Sequence, residues 1–162
     1  MEIEAEQLLS SLSSQRDHVL SILSGLEEDA LRRPVLPTGW SCLGLVRHLT
    51  FDVERFWFGQ VVGGEPPDEF DAHPGLAWTV PDDITADVVF DDYRREIAAA
   101  TAIIAATALD TAPAGWPDEV WPDWRMPDLR TVMLHVITET ACHAGHLDAV
   151  RELLDGRTWL IL

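Results

Sequence analysis

Apolar residues recur along this chain at helical spacing in four blocks, separated by proline-bearing stretches. In the first, Leu8, Leu9, Leu12, Val19, Ile22, Leu23 and Leu26 share a face, which predicts a helix from about Ile3 to Leu26 with Gly25 near its end. The second block, Leu45, Val46, Leu49, Val53 and Phe56, follows Ser41 and Thr38, either of which can cap a helix N-terminus. Gly63-Gly64 and Pro66-Pro67 stop it. The third helix is expected from Thr85 or Asp87 to Leu109. Its alanines (Ala98, Ala99, Ala100, Ala102, Ala105, Ala106) favour helix and allow close packing. The fourth runs from an Asp128 cap to Leu154, with Gly156 as its stop.

Residues 65–84 and 110–127 each carry four prolines, and the second stretch also holds Trp116, Trp121 and Trp124. Both read as long loops, which in a small domain often serve as lids or site walls. No segment alternates like a strand. The expected fold class is all-α: an up-and-down four-helix bundle with two long Pro-rich loops, one domain over residues 1–162.

Composition narrows the partners. Hydrophobic residues make up 47% of the chain, enough for a core without disulfides or metal as a staple. The balance of 11 Lys+Arg against 28 Asp+Glu gives a net charge of −17, which disfavours nucleic acid and anionic membranes as partners. The acidic start Met1-Glu2-Ile3-Glu4 shows no leader pattern, and no run is long and apolar enough to span a bilayer; a cytoplasmic location is expected. Cys42 and Cys142 form no CxxC pair and are expected to be buried small hydrophobes.

The chemistry lies on the last helix. His135, Glu139, His143 and His146, in steps of four, four and three, share one face with Val132, Val150 and Leu153. Polar groups therefore interrupt the stripe that should enter the core, where an unpartnered carboxylate is costly. A divalent metal ion partners Glu139 and His143 at once, since i, i+4 spacing brings both to one point. His48, mid-helix between apolar residues, is the best third ligand from a facing helix. Two histidines and one carboxylate suit zinc with an open coordination position, and equally ferrous iron. His135 and His146 on their own read as supporting or structural groups.

The stretches Gly39-Trp40-Ser41, Leu45-Val46-Arg47-His48-Leu49 and Glu139-Thr140-Ala141-Cys142-His143-Ala144-Gly145-His146-Leu147-Asp148 resemble the DinB-like superfamily over nearly the whole chain. The resemblance extends to the branch that includes the N-terminal domain of mycothiol-dependent maleylpyruvate isomerase and small mycothiol S-transferases. It implies a four-helix bundle with a His, Glu, His metal set, matching His48, Glu139 and His143. It also favours zinc, with nickel or iron as alternatives, and mycothiol or a similar thiol as cosubstrate. The isomerase has a further C-terminal domain, and this chain stops at Leu162, so S-transfer rather than isomerisation is expected.

The leading functional expectation is thus a metal-dependent thiol S-transferase acting on small electrophiles. In it Asp52 and His146 are the catalytic candidates, orienting a ligand or moving a proton. Val61 to Trp78 and the loop near Trp121 would shape the electrophile pocket. The alternatives are a metal-dependent hydrolase and a non-enzymatic protein stabilised by its metal, with His146 or Cys142 as a fourth ligand. The apolar tail Trp159-Leu160-Ile161-Leu162 suggests a homodimer.

Overall fold

Ser41, Thr85 and Asp128 each stand before an apolar block, and each caps a helix. The Ser41 hydroxyl accepts from the Gly44 N–H at 3.1 Å, and Thr85 from Val88 at 3.5 Å. The Asp128 carboxylate accepts from the Thr131 N–H at 2.8 Å and its hydroxyl at 2.7 Å. The structure, a computed structural model, describes residues 3–73 and 75–159. Its helices are α1 (Ile3–Leu23), α2 (Glu28–Arg32), α3 (Cys42–His48), α4 (Glu69–Ala72), α5 (Ala86–Ala106) and α6 (Leu129–Asp155). Leu49–Val62 continues α3 as a π-helix. Gly156, at φ 77°, takes the left-handed conformation that closes α6.

Several boundaries differ from expectation. The first helix ends at Leu23, and the short α2 follows instead of a continuous helix to Leu26. The 65–84 stretch contains α4. The third helix stops at Ala106, short of Leu109. The π-helix was not foreseen, because its apolar positions also fit an α period. Its wider turns put nearly every face of Leu49–Val62 to use: Phe51, Val53, Glu54, Trp57, Phe58, Gly59, Gln60, Val61 and Val62 are all buried.

Among the described residues the fold is all-helical, as expected, but its helices do not alternate strictly. Glu4 pairs with Arg130, His18 with Asp148, and Arg151 with the Ile22 carbonyl, so α1 and α6 run parallel. His48 lies near Glu139 and His143 while Trp57 lies against His135, so α3 and the π-helix run antiparallel to α6. One cleft joins Leu23 to Ala86 and another joins Ala5 to Ile104, so α5 opposes α1. The four long elements therefore run up, down, down, up. The reason is the length of the first loop: a helix like α5 spans about 30 Å, which roughly twenty loop residues cross easily. α1 packs on α6, α5 packs on the π-helix, and α6 closes against the π-helix.

Three packing expectations change. Ala98, Ala99, Ala102, Ala105 and Ala106 face outward, and α5 contributes Val89, Tyr93, Ala100 and Ile104 to the core instead. Leu153 is 63% exposed, whereas Val132 and Val150 are buried. Cys42 is buried, and burial pushes its thiol up to about 11, but Cys142 is exposed, contrary to expectation. Position 142 follows Ala141 on the outer side of α6, away from the arc of Val132 and Val150. Trp159 stacks on His18 at 4.5 Å; the rest of the proposed dimer tail, residues 160–162, lies outside the described residues. No described helix is long and apolar enough to cross a membrane.

Candidate metal centre

The junction between α3 and the π-helix sets His48 opposite the middle of α6. There His48, Glu139 and His143 offer ligand atoms all within 4.8 Å of one another. His143 Nε2 lies 3.1 Å from Glu139 Oε1, and His48 Nε2 lies 3.7 Å from the same oxygen. Ligands about 2.0–2.1 Å from a tetrahedral ion stand about 3.3 Å apart, a value these two distances bracket.

The ring nitrogens are sorted by their other partners. His48 Nδ1 lies 2.8 Å from Asp52 Oδ2; an ionised carboxylate only accepts, so Nδ1 carries the proton. Nε2 is then a lone-pair donor, and it is buried with no hydrogen-bond partner. An orphaned imidazole nitrogen aimed at a carboxylate and a second imidazole fits a cation better than it fits a satisfied core histidine. On the other side, His143 Nδ1 lies 3.4 Å from His146 Nδ1. With His143 donating there, its Nε2 also faces Glu139 as a lone pair. Burial, with the nearby His48 ring as a smaller cause, holds His143 below the ordinary imidazole range, so it is neutral at pH 7.

The sequence-predicted residues therefore divide. His48, Glu139 and His143 come together, Asp52 and His146 stand directly behind the two imidazoles, and His146 is exposed. His135 does not join them; it stands edge-on to Trp57 at 4.7 Å. Neither Cys142 nor His146 joins this group of ligand atoms among the described residues.

Sequence reasoning missed how Trp78 covers the site. Its ring stacks on His48 at 4.3 Å and 18°, and lies 5.9 Å from His143. The strap carrying it is pinned where Arg47 donates to the Thr79 carbonyl, and where Phe70 stacks on Phe51 at 3.9 Å. The strap backbone also rests directly on Gly44, where any Cβ would run into the Trp78 carbonyl. A lone glycine inside a helical apolar run was the available signal for such an approach. Gly44→Ala is therefore expected to lower stability by about 1–3 kcal/mol and to loosen Trp78 over His48. Denaturant titration followed by tryptophan emission checks both; an unchanged midpoint and spectrum would mean that the strap yields freely.

The sequence matches the model of one protein family, described as mycothiol-S-transferase, over residues 7–156. Comparison with curated proteins gives no match.

Proposed function

Because the chain belongs to the mycothiol-S-transferase family, a DinB-like family, we propose that it joins mycothiol or a similar small thiol to small electrophiles at a divalent metal centre held by His48, Glu139 and His143. The observation that carries the metal reading is the buried, partnerless Nε2 of His48, aimed at Glu139 while Asp52 occupies the other ring nitrogen. When bound, a divalent ion lets a thiol persist as thiolate at neutral pH. Zinc suits the donor set and nickel or ferrous iron are the alternatives, since two histidines and a carboxylate serve all three.

The chain's own residues do the rest. Asp52 fixes the tautomer and orientation of His48, and His146 does the same for His143. Trp78 shields one side of His48 from water. His146, exposed beside His143, is placed to pass the thiol proton to solvent. In the reaction the sulfur bonds to the electrophilic carbon, the bond from that carbon to its leaving group breaks, and the leaving group departs with the electron pair. Residues 1–162 are taken to act as one domain.

The test is electrophile consumption by zinc-loaded protein, with mycothiol, with other thiols, and with none. Turnover that requires thiol and is fastest with mycothiol is the expected result. Equal turnover without thiol would replace the reading by metal-assisted hydrolysis. No turnover with any thiol and several electrophiles would overturn it.

A further inference from the structure

One turn before Glu139, α6 carries His135, half-buried and in contact with an aromatic cluster that the metal centre does not use. Trp57, 5% exposed, stands edge-on to His135 and lies nearly parallel to Trp121 at 5.8 Å and 8°. Trp121 is half-buried and is ringed by Phe56, Trp116 and Trp124.

The loop that supplies these rings is fixed to the π-helix. Gly115 N–H donates to the Val61 carbonyl at 3.0 Å, and Trp116 Nε1 donates to the Trp121 carbonyl at 3.3 Å. Gly115 lies so near the Gln60 carbonyl that a Cβ would sit 2.5 Å from it. A loop held this closely presents its rings in one geometry. Four tryptophans in one cluster, three of them partly or largely exposed, exceed what closing the end of a small bundle requires.

His135 adds a polar handle. No described residue hydrogen-bonds its ring nitrogens, and burial keeps it neutral at pH 7, so it offers one N–H donor beside an aromatic face. Asp118, Glu119 and Asp123 surround the loop against one arginine, Arg125, which disfavours anionic ligands.

We propose that Trp121 and His135, backed by the buried Trp57, form the electrophile subsite, which takes a flat, neutral, conjugated molecule bearing an oxygen acceptor. The Trp121 ring contacts its π-face or edge, and His135 donates to the acceptor oxygen. The subsite lies one turn along α6 from Glu139, on the helix face that carries the candidate ligands. The assignment rests on the thiol-transfer reading for its biological role, but its binding chemistry can be measured separately.

The experiment compares two unreactive ketones, acetophenone and cyclohexyl methyl ketone, which share the acceptor and differ in the flat ring. Dissociation constants are measured by calorimetry on the protein as purified, without thiol. Acetophenone is expected to bind about tenfold more tightly. Trp121→Leu should remove that advantage. His135→Phe, which keeps a ring against Trp57, should weaken acetophenone by up to about tenfold. Trp159→Leu, at the other end of α6, should change nothing. In the unsubstituted protein, acetophenone ring protons should show nuclear Overhauser contacts to the Trp121 indole N–H, a readout independent of how any variant folds. Equal affinity for the two ketones, or contacts to Trp78 in place of Trp121, would overturn the subsite. Binding as expected with no thiol transfer would leave the subsite standing and remove the proposed function. Transfer of aromatic electrophiles with unchanged KM in both subsite variants would do the reverse.

Discussion

Glu54→Leu is expected to destabilise the bundle by about 3–5 kcal/mol, and Arg16→Met by a similar amount, whereas the double variant should recover most of the loss. Arg16 and Glu54 are 2% and 1% exposed, and they meet through two parallel contacts of 2.7 and 2.6 Å, Nε to Oε1 and Nη2 to Oε2. They join α1 to the π-helix, which sit diagonally across the bundle. Taking two charges out of water costs more than a single hydrogen bond returns; the pair persists because each charge cancels the other's penalty. Removing one partner strands a full charge in the core. Removing both leaves Thr101 still satisfied, because its hydroxyl donates to the Ile97 carbonyl at 2.7 Å. The single variants should lower Tm by roughly 6–20 °C, at 2–4 °C per kcal/mol for a chain of this size. Calorimetry on the four proteins of the cycle measures the coupling directly. Single changes that cost under about 1 kcal/mol would show that the pair is hydrated in solution.

This pair also marks the limit of what the sequence reveals. The apolar period, the capping residues Ser41, Thr85 and Asp128, and the closing Gly156 are local signals, and each helix appears near its expected place. Arg16 and Glu54 carry no local signal of their pairing, because nothing in either helix's own sequence says that these two faces will meet across a core. Tyr93, Arg151 and the outward alanines of α5 follow from the same arrangement. The order of the helices is a non-local property, although the 65–84 loop was long enough to signal a crossover. The π-helix escaped because Phe51 to Val62 satisfies either period.

The candidate site was more legible. Polar residues at 135, 139, 143 and 146 on an apolar arc have few explanations, and His48 alone among the other histidines sits mid-helix in an apolar run. Geometry separates what spacing could not. Asp52 and His146 support the imidazoles, and His135 belongs to the tryptophan cluster. Trp78 depends on a tertiary contact at Gly44 that no periodicity announces.

Glu139→Ala and His48→Ala are each expected to abolish retention of a divalent ion, from about one per chain to a small fraction of that, while the helical fold survives. Glu139 Oε1 stands between the two Nε2 atoms at 3.1 and 3.7 Å, so its loss leaves two neutral imidazoles with no anion to offset the ion's charge. Asp52→Ala gives a graded comparison. It keeps all three ligands and frees the His48 tautomer, so affinity should fall by about 10–100-fold, less than for either ligand variant. Protons compete for the same lone pairs. His143 is held below its ordinary value of 6.5 by burial, so the folded chain binds fewer protons there than the unfolded one. Stability contributed by this group is full above about 6.5, and is lost as pH falls through the lowered value; metal uptake should fall in the same window. Elemental analysis after gel filtration at pH 7.5 and pH 5 checks the ordering. A Glu139→Ala protein that keeps a full complement of metal would remove these three side chains from the role of ligands, and with them the thiolate chemistry built on the site.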